Sequence, residues 1–273
     1  MAARAFRFSV GIHSAKSRGA LQDKARRLED LGFDALHLPD HLGAPAPFPV
    51  LTAIASATST VRLGTYVLNA GFYKPALLAR DAAEVDQLSD GRLDLGLGAG
   101  YVREEFEAAE LPYPSARQRV DYLEHVTTYL KKHLPSVPIL IAGNGNRLLT
   151  VAAQHADIIG LTGANSGAVA DPLAERVEFV KSAAGDRFAD LELNLAITAV
   201  PSDNSGKPDL ALTRRFLPDL SDEELLALPA VLSGSPRDIA DTLRGYRESY
   251  GLTSFTVQEN HVETFAKVLA EFR

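Results

Sequence analysis

Asp86-Gln-Leu-Ser-Asp-Gly-Arg-Leu-Asp-Leu-Gly-Leu-Gly-Ala-Gly100 decides the fold, because it compresses the end of a helix, a turn, a strand and a glycine loop into one run. Ser89-Asp90-Gly91 carries turn residues. Leu93–Leu97 is a short apolar strand, and Gly98-Ala99-Gly100 follows where that strand must end. Upstream, a helix starts after Pro75, a favoured first-turn residue, and runs to about Leu88. A helix feeding a buried strand through a tight turn is one unit of an α/β fold.

The same rhythm continues in both directions. Towards the N-terminus lie strand Val61–Leu68, a helix near Val50–Ser59, and strand Phe33–Leu38. Before these, Arg18–Leu31 is amphipathic, with Leu21, Ala25, Leu28 and Leu31 on one face and Gly32 closing it. The first strand is Phe6–His13. Towards the C-terminus come helix Ala116–His133, strand Pro138–Ala142, helix Arg147–His155, strand Asp157–Leu161, helix Pro172–Ala183 and strand Leu191–Val200. Pro201–Leu228 is polar and rich in Pro and Gly, with a short helix after Ser221, and reads as a loop insertion. One more unit follows: Ser235-Pro236 caps a helix to Tyr250, Gly251 closes it, and Thr253–Gln258 is the eighth strand, before a last helix Val262–Phe272. Eight strands alternating with helices fit a closed barrel or an open doubly wound sheet. The count of eight favours a single (β/α)8 TIM barrel domain over residues 1–273, with an insertion near 201–230.

Composition narrows the function. Hydrophobic residues make up 46% of the chain, enough for a large core, and the net charge is −7 without an acidic tail. Basic residues do not cluster and no basic-aromatic stripe appears, so nucleic acid is not the expected partner. There is no cysteine, which excludes disulfides, thiolate catalysis and Cys-ligated metals. No apolar run approaches a membrane span and the N-terminus enters a strand without a signal core, so the expected location is the cytoplasm.

In a β/α barrel the chemistry sits at the C-terminal ends of the strands. That rule selects Asp40-His41 after strand two, Asn69 after strand three, Gly98-Ala99-Gly100-Tyr101 after strand four, Gly143-Asn144-Gly145 after strand five and Thr162-Gly163 after strand six. An imidazole beside a carboxylate suits acid–base work near neutral pH. The plainer reading, in which Asp40 caps a turn and His41 packs, stays open. The glycine run lacks nucleotide-loop spacing, and serves either close approach of a ligand or a tight turn. Gly143-Asn144-Gly145 opens a helix, where free N–H groups suit a phosphate, or simply forms a connecting loop. His13, His41 and His261 lie at strand ends near Asp40 and Glu259, but their spacing carries no metal signature, and no metal is expected.

Several stretches together resemble the luciferase-like monooxygenase superfamily. They are Leu31-Gly-Phe-Asp34, Leu38-Pro-Asp-His-Leu42, Val61–Leu68, Lys74–Arg80, the Asp86–Gly100 block, Ala142–Arg147 and Ala152–Ile158. Leu228-Pro-Ala-Val-Leu-Ser-Gly234 is similar to the actinobacterial branch that uses the deazaflavin coenzyme F420. The resemblance implies a cofactor ring at the strand ends, resting on a bulge after strand three with a non-prolyl cis peptide, matched here by Tyr66-Val67. It implies His41 as proton carrier beside Asp40, with the Gly98–Gly100 loop and the ends of strands five and six around ring and tail. The function implied is hydride transfer between F420 and a small organic substrate. An FMN-dependent monooxygenase, or a binding protein that has kept only the fold, are the alternatives. Relatives also imply a homodimer through helices flanking strands two and three. Lys74, Arg103 and Arg147, near the mouth, are candidate partners for a phosphate tail. Two departures stand out. Some deazaflavin dehydrogenases place a glutamate directly after the strand-four glycines, where this chain has Tyr101, with Glu104 and Glu105 a turn later. The stretch before strand five, Lys132–Pro138, is short.

Overall fold

Alternation along the strands sorts side chains into an inner and an outer layer. Phe8 packs outward on Phe265 of the C-terminal helix and on Phe272 just beyond it, while its neighbour Arg7 turns inward to Asp94 and Glu192 across the barrel. The computed structural model describes residues 4–14, 16–162 and 171–273. Its strands are β1 Arg7–Gly11, β2 Ala35–Leu38, β3 Arg62–Thr65, β4 Leu68–Asn69, β5 Leu93–Gly98, β6 Ile139–Ala142, β7 Ile158–Leu161, β8 Glu192–Ala196 and β9 Leu252–Gln258. They run parallel in the order β3-β2-β1-β9-β8-β7-β6-β5-β4, and β3 also pairs with β5, which closes the ring. β4 continues β3 after a break, so the two make one stave and the barrel has eight. The (β/α)8 barrel is therefore correct and the open sheet is excluded.

The interior is unusually polar for a fold whose centre is commonly filled by branched aliphatics. At its base, the buried carboxylate of Asp94 accepts from Arg62 Nε at 2.9 Å and Nη2 at 2.7 Å, and pairs with Arg7 on its other oxygen. A buried carboxylate with two guanidinium partners avoids the penalty of an unpaired charge. Outside, the helices bury their apolar faces on the strands. Arg18–Leu31 begins at Ser17, whose hydroxyl accepts from the Ala20 amide, and buries Leu21, Ala25 and Leu28. Ala116–His133 opens with a capping box between Ser115 and Gln118.

Three local differences from the sequence reading have physical reasons. The helix placed near Val50–Ser59 is Pro47–Ala55, because Pro47 starts it and Leu51, Ile54 and Ala55 are its buried face. The third strand does not run unbroken through Val61–Leu68: it stops at Thr65 and resumes at Leu68 around a cis Tyr66-Val67 peptide. Two short helices, Arg103–Ala108 and Ala211–Phe216, are additional to that reading, because six residues with one buried side chain each show no apolar period. The second lies in the inserted region with Asp222–Leu226, where Ala199, Leu225, Leu228 and Val231 form a small apolar cluster of their own. Among the described residues no helix is long and apolar enough to cross a membrane.

Candidate active site

The loop after β2 carries Asp40 and His41, and the structure gives them different partners. His41 Nδ1 lies 2.8 Å from Glu105 Oε1, on the short helix Arg103–Ala108. The imidazole is 44% exposed and the carboxylate 16%, so the pair sits at the rim with Glu105 tucked behind His41. Among the described residues no hydrogen bond engages His41 Nε2, which leaves one ring nitrogen available. Asp40 turns inward: its Oδ2 accepts from the Asn69 amide at 3.1 Å, and the Tyr73 hydroxyl also bonds it. Burial pushes the Asp40 carboxyl above its usual range, although both hydrogen bonds and the nearby His41 act the other way. Burial and the facing Asp40 push the Tyr73 phenol up in turn. Glu105, a turn beyond the glycine loop, is thus the carboxylate that meets His41.

The break between β3 and β4 faces the mouth. Tyr66 and Val67 stay partly accessible, between neighbours that are buried. Tyr66 sends its ring into the barrel, where it stacks on His37 at 5.6 Å with planes 12° apart, and its hydroxyl donates to Asn194 Oδ1 at 3.0 Å. Asn194 Nδ2 donates to Ser254 Oγ at 2.9 Å and Thr256 Oγ1 at 3.0 Å. Burial, with Arg7 adding repulsion, brings His37 down to about 3, so it is neutral at physiological pH. Two glycines make room for this arrangement. A Cβ on Gly160 would stand 2.9 Å from the Tyr66 hydroxyl, and one on Gly98 would stand 2.7 Å from Val67 Cγ2. Both distances are too short for real carbon contacts, so the glycines are steric requirements of the bulge.

Gly98 and Asn69 lie buried beneath the mouth, and Asn69 Oδ1 is held by the Gly71 amide at 3.0 Å. Ala99 and Gly100 are partly accessible, and Tyr101 is 70% exposed, its ring 6.3 Å from that of His41. On the opposite rim, the Asn144 amide donates to the Thr162 hydroxyl, joining the ends of β6 and β7, while Gly143 is half-buried and Gly145 exposed. Gly163 lies outside the described residues. Arg176 supports this rim by donating to Asn144 O at 3.2 Å and Asn146 Oδ1 at 2.6 Å. Of the cations expected near a phosphate, Arg147 is paired with Asp121, and Arg103 lies over the Tyr113 ring at 4.5 Å. Lys74 is exposed. The histidines do not converge: His13 bonds Gln258 at 2.7 Å, Glu259 is held by Lys24, and His261 is buried. Among the described residues no His, Cys, Asp and Glu group is placed to hold a metal.

The mouth therefore brings together the partly accessible Tyr66, Val67, Ala99 and Gly100, the amide and hydroxyl of Asn144 and Thr162, and the outer nitrogen of His41. That donor set suits a flat heteroaromatic ring with carbonyl and N–H edges. Residues 4–217 match the family of luciferase-like monooxygenases. The chain belongs to that family. One relative is a 5,10-methylenetetrahydromethanopterin reductase from Archaeoglobus fulgidus, 30% identical over 149 residues, which are 47% of this chain and 45% of that protein. Another is an F420-dependent glucose-6-phosphate dehydrogenase from Microbacterium testaceum, 28% identical over 231 residues, 81% of this chain and 61% of that one. The chain spans less than two thirds of either relative's length. A solved F420-dependent secondary alcohol dehydrogenase, in complex with an F420-acetone adduct, has a TM-score of 0.77 at 16% identity, covering 99% of this chain and 100% of its own. At that identity the likeness is one of fold.

Proposed function

We propose that this protein is an oxidoreductase that moves a hydride between the deazaflavin coenzyme F420 and a small organic substrate. The observation that carries the reading is the His41–Glu105 pair at the barrel mouth, with one imidazole nitrogen held and the other available. The bound coenzyme ring supplies the hydride acceptor or donor, which no side chain can be. His41 moves the accompanying proton. With Nδ1–H donated to Glu105, Nε2 accepts the substrate hydroxyl proton in oxidation and returns it in reduction. Glu105 fixes that tautomer and stabilises the imidazolium. Asp40 ties the loop after β2 to the Asn69 amide and Tyr73 hydroxyl, and so keeps His41 in place. Tyr66, Val67, Ala99, Gly100 and Tyr101 form the ring's bed, over Asn69 and Gly98. Gly143, Asn144, Gly145 and Thr162 form the far rim towards the tail, together with Gly163. The relatives whose names carry F420 support this reading.

The chain works as one barrel domain with residues 201–230 as an insertion, in the cytoplasm, as a homodimer. Leu77 and Leu88, 53% and 58% exposed, lie on one face of the helix after the bulge and support a contact there. Titrating the protein separately with F420 and with FMN, by absorbance and fluorescence, tests the cofactor. F420 is expected to bind more tightly. Tighter FMN binding replaces the reading with a flavin monooxygenase, and binding of neither replaces it with a non-catalytic fold.

A further inference from the structure

Beside His41, between the loop after β2 and the end of helix Arg103–Ala108, lies an open cavity of about 530 Å³. That is within the range of small-molecule sites. Its walls are mostly apolar: Leu42, Pro47, Phe72, Tyr73 and Leu111 line it, with Asp40 and His41 on one side. Among the described residues no lysine or arginine lines it. The cations nearby are committed or point elsewhere. Arg103 stacks on Tyr113 and faces Glu107, while Arg119 donates to the Gly100 and Pro114 carbonyls. Lys74, next to Tyr73 in the chain, is exposed and outside the lining. The charged groups that do border the site include the carboxyls of Asp40 and, behind His41, Glu105. His41 is the one lining residue that can become cationic, and it is already paired with Glu105, so a phosphate here would lack the lysine or arginine that holds such a group.

We propose that this cavity is the substrate pocket and that it takes an uncharged, mainly apolar alcohol or the matching carbonyl compound, with the reacting oxygen at His41, in place of a phosphorylated sugar. The proposal rests on the reading of His41 as proton carrier. Oxidation of the alcohol breaks its O–H and its adjacent C–H bond. The proton goes to His41 Nε2, the hydride leaves to the oxidised deazaflavin, and the C=O bond forms. Reduction of the carbonyl runs the same steps in reverse. The apolar walls hold the carbon skeleton, and His41 supplies the one polar contact that orientation requires.

The test uses the coenzyme-free protein, so it does not depend on turnover. Ligand-observed saturation-transfer NMR is run with cyclohexanol and with glucose 6-phosphate as probes. Cyclohexanol is expected to show saturable binding, and glucose 6-phosphate to bind about tenfold more weakly or not at all. Leu111→Trp and Ala109→Trp, each filling the cavity from the segment that follows helix Arg103–Ala108, should both abolish the cyclohexanol signal, with circular dichroism confirming that each variant is folded. No cyclohexanol binding, a signal indifferent to both substitutions, or glucose 6-phosphate competing with cyclohexanol on equal terms overturns the proposal. A positive F420 titration alongside any of these results leaves the hydride-transfer reading standing and removes only the substrate class.

Discussion

Asn194→Leu should destabilise the protein by about 3–5 kcal/mol, and the estimate follows from three hydrogen bonds that lose their partner together. Asn194 is 1% exposed and joins three side chains across the barrel: it accepts from the Tyr66 hydroxyl at 3.0 Å and donates to Ser254 Oγ at 2.9 Å and Thr256 Oγ1 at 3.0 Å. Ser254 and Thr256 are each 2% exposed, so their hydroxyls have no route to water once the amide is gone. A buried polar group left unpaired costs about 1–3 kcal/mol. The Tyr66 hydroxyl, which points into the barrel beside Gly160, loses its partner as well, and the three losses together give the stated range. Tyr66→Phe removes one bond only, and should cost about 1 kcal/mol. Urea unfolding followed by circular dichroism at 222 nm, a conventional helix wavelength outside the reach of these substitutions, measures both. F420 titration of the same variants reads the second consequence: without its anchor the Tyr66 ring no longer fixes the bulge, so Tyr66→Phe should weaken coenzyme binding more than its small stability cost suggests. If Asn194→Leu lies within 1 kcal/mol of the parent, or if Tyr66→Phe costs as much as Asn194→Leu, the network does not hold the bulge as argued.

Three further outcomes are expected. His41→Ala should lower turnover by about 10²–10⁴ with coenzyme affinity nearly unchanged, and Glu105→Gln, which keeps a hydrogen bond but loses the charge, by about tenfold at this half-exposed site; equal effects on turnover and affinity would count against acid–base roles. Glu29 Oε1 accepts from the amides of Ser59, Thr60 and Val61 and from the Thr60 hydroxyl. Although burial alone raises it, these bonds bring its carboxyl down to about 2 from an ordinary 4.5. A lowered carboxylate stabilises the fold above its ordinary value, and that stability is lost as pH falls from 4.5 towards about 2. Unfolding free energies of the parent and Glu29→Gln should therefore differ by about 1–2 kcal/mol at pH 7, after allowance for solvent screening, and converge near pH 2; a constant gap would contradict the assignment. Gly160→Ala should weaken coenzyme binding and stability together, because its Cβ would meet Ala142 Cβ at 2.7 Å as well as the Tyr66 hydroxyl, and a variant that behaves like the parent would show that the rim relaxes freely.

What the sequence made legible was whatever its local pattern controls. Arg18–Leu31 is found at both ends because Ser17 caps it, Gly32 closes it, and Leu21, Ala25 and Leu28 recur on one face. Barrel closure was less accessible, since alternating strands and helices suit an open sheet as well. The deciding contact, Leu63 of β3 against Leu93 of β5, is a register between distant residues. The break at Tyr66-Val67 has no local signal either: Gly64-Thr-Tyr-Val-Leu68 reads as one continuous strand, and only resemblance pointed to the bulge. Its steric support could have been read, because glycines at 98 and 160 stand where an all-apolar strand has no need of them.

The partner of His41 shows where local reading stops and topology takes over. Asp40 is adjacent in sequence, but successive residues at the end of a strand point to opposite sides. Asp40 therefore goes to the Asn69 amide beneath the mouth, while His41 stays on the rim. Glu105 lies 64 residues further on, in a six-residue helix with one buried side chain, Phe106, too short and too polar to show a period. Phe106 nevertheless fixes that helix, packing on Phe72 at 5.3 Å and Tyr113 at 5.2 Å, both from segments that follow strands of the same rim. The acid at His41 is thus set by an apolar anchor one residue away from it. The anchored helix thus brings a carboxylate to His41 from a segment beyond the glycine loop, while Tyr101, the residue directly after that loop, stands exposed at the entrance.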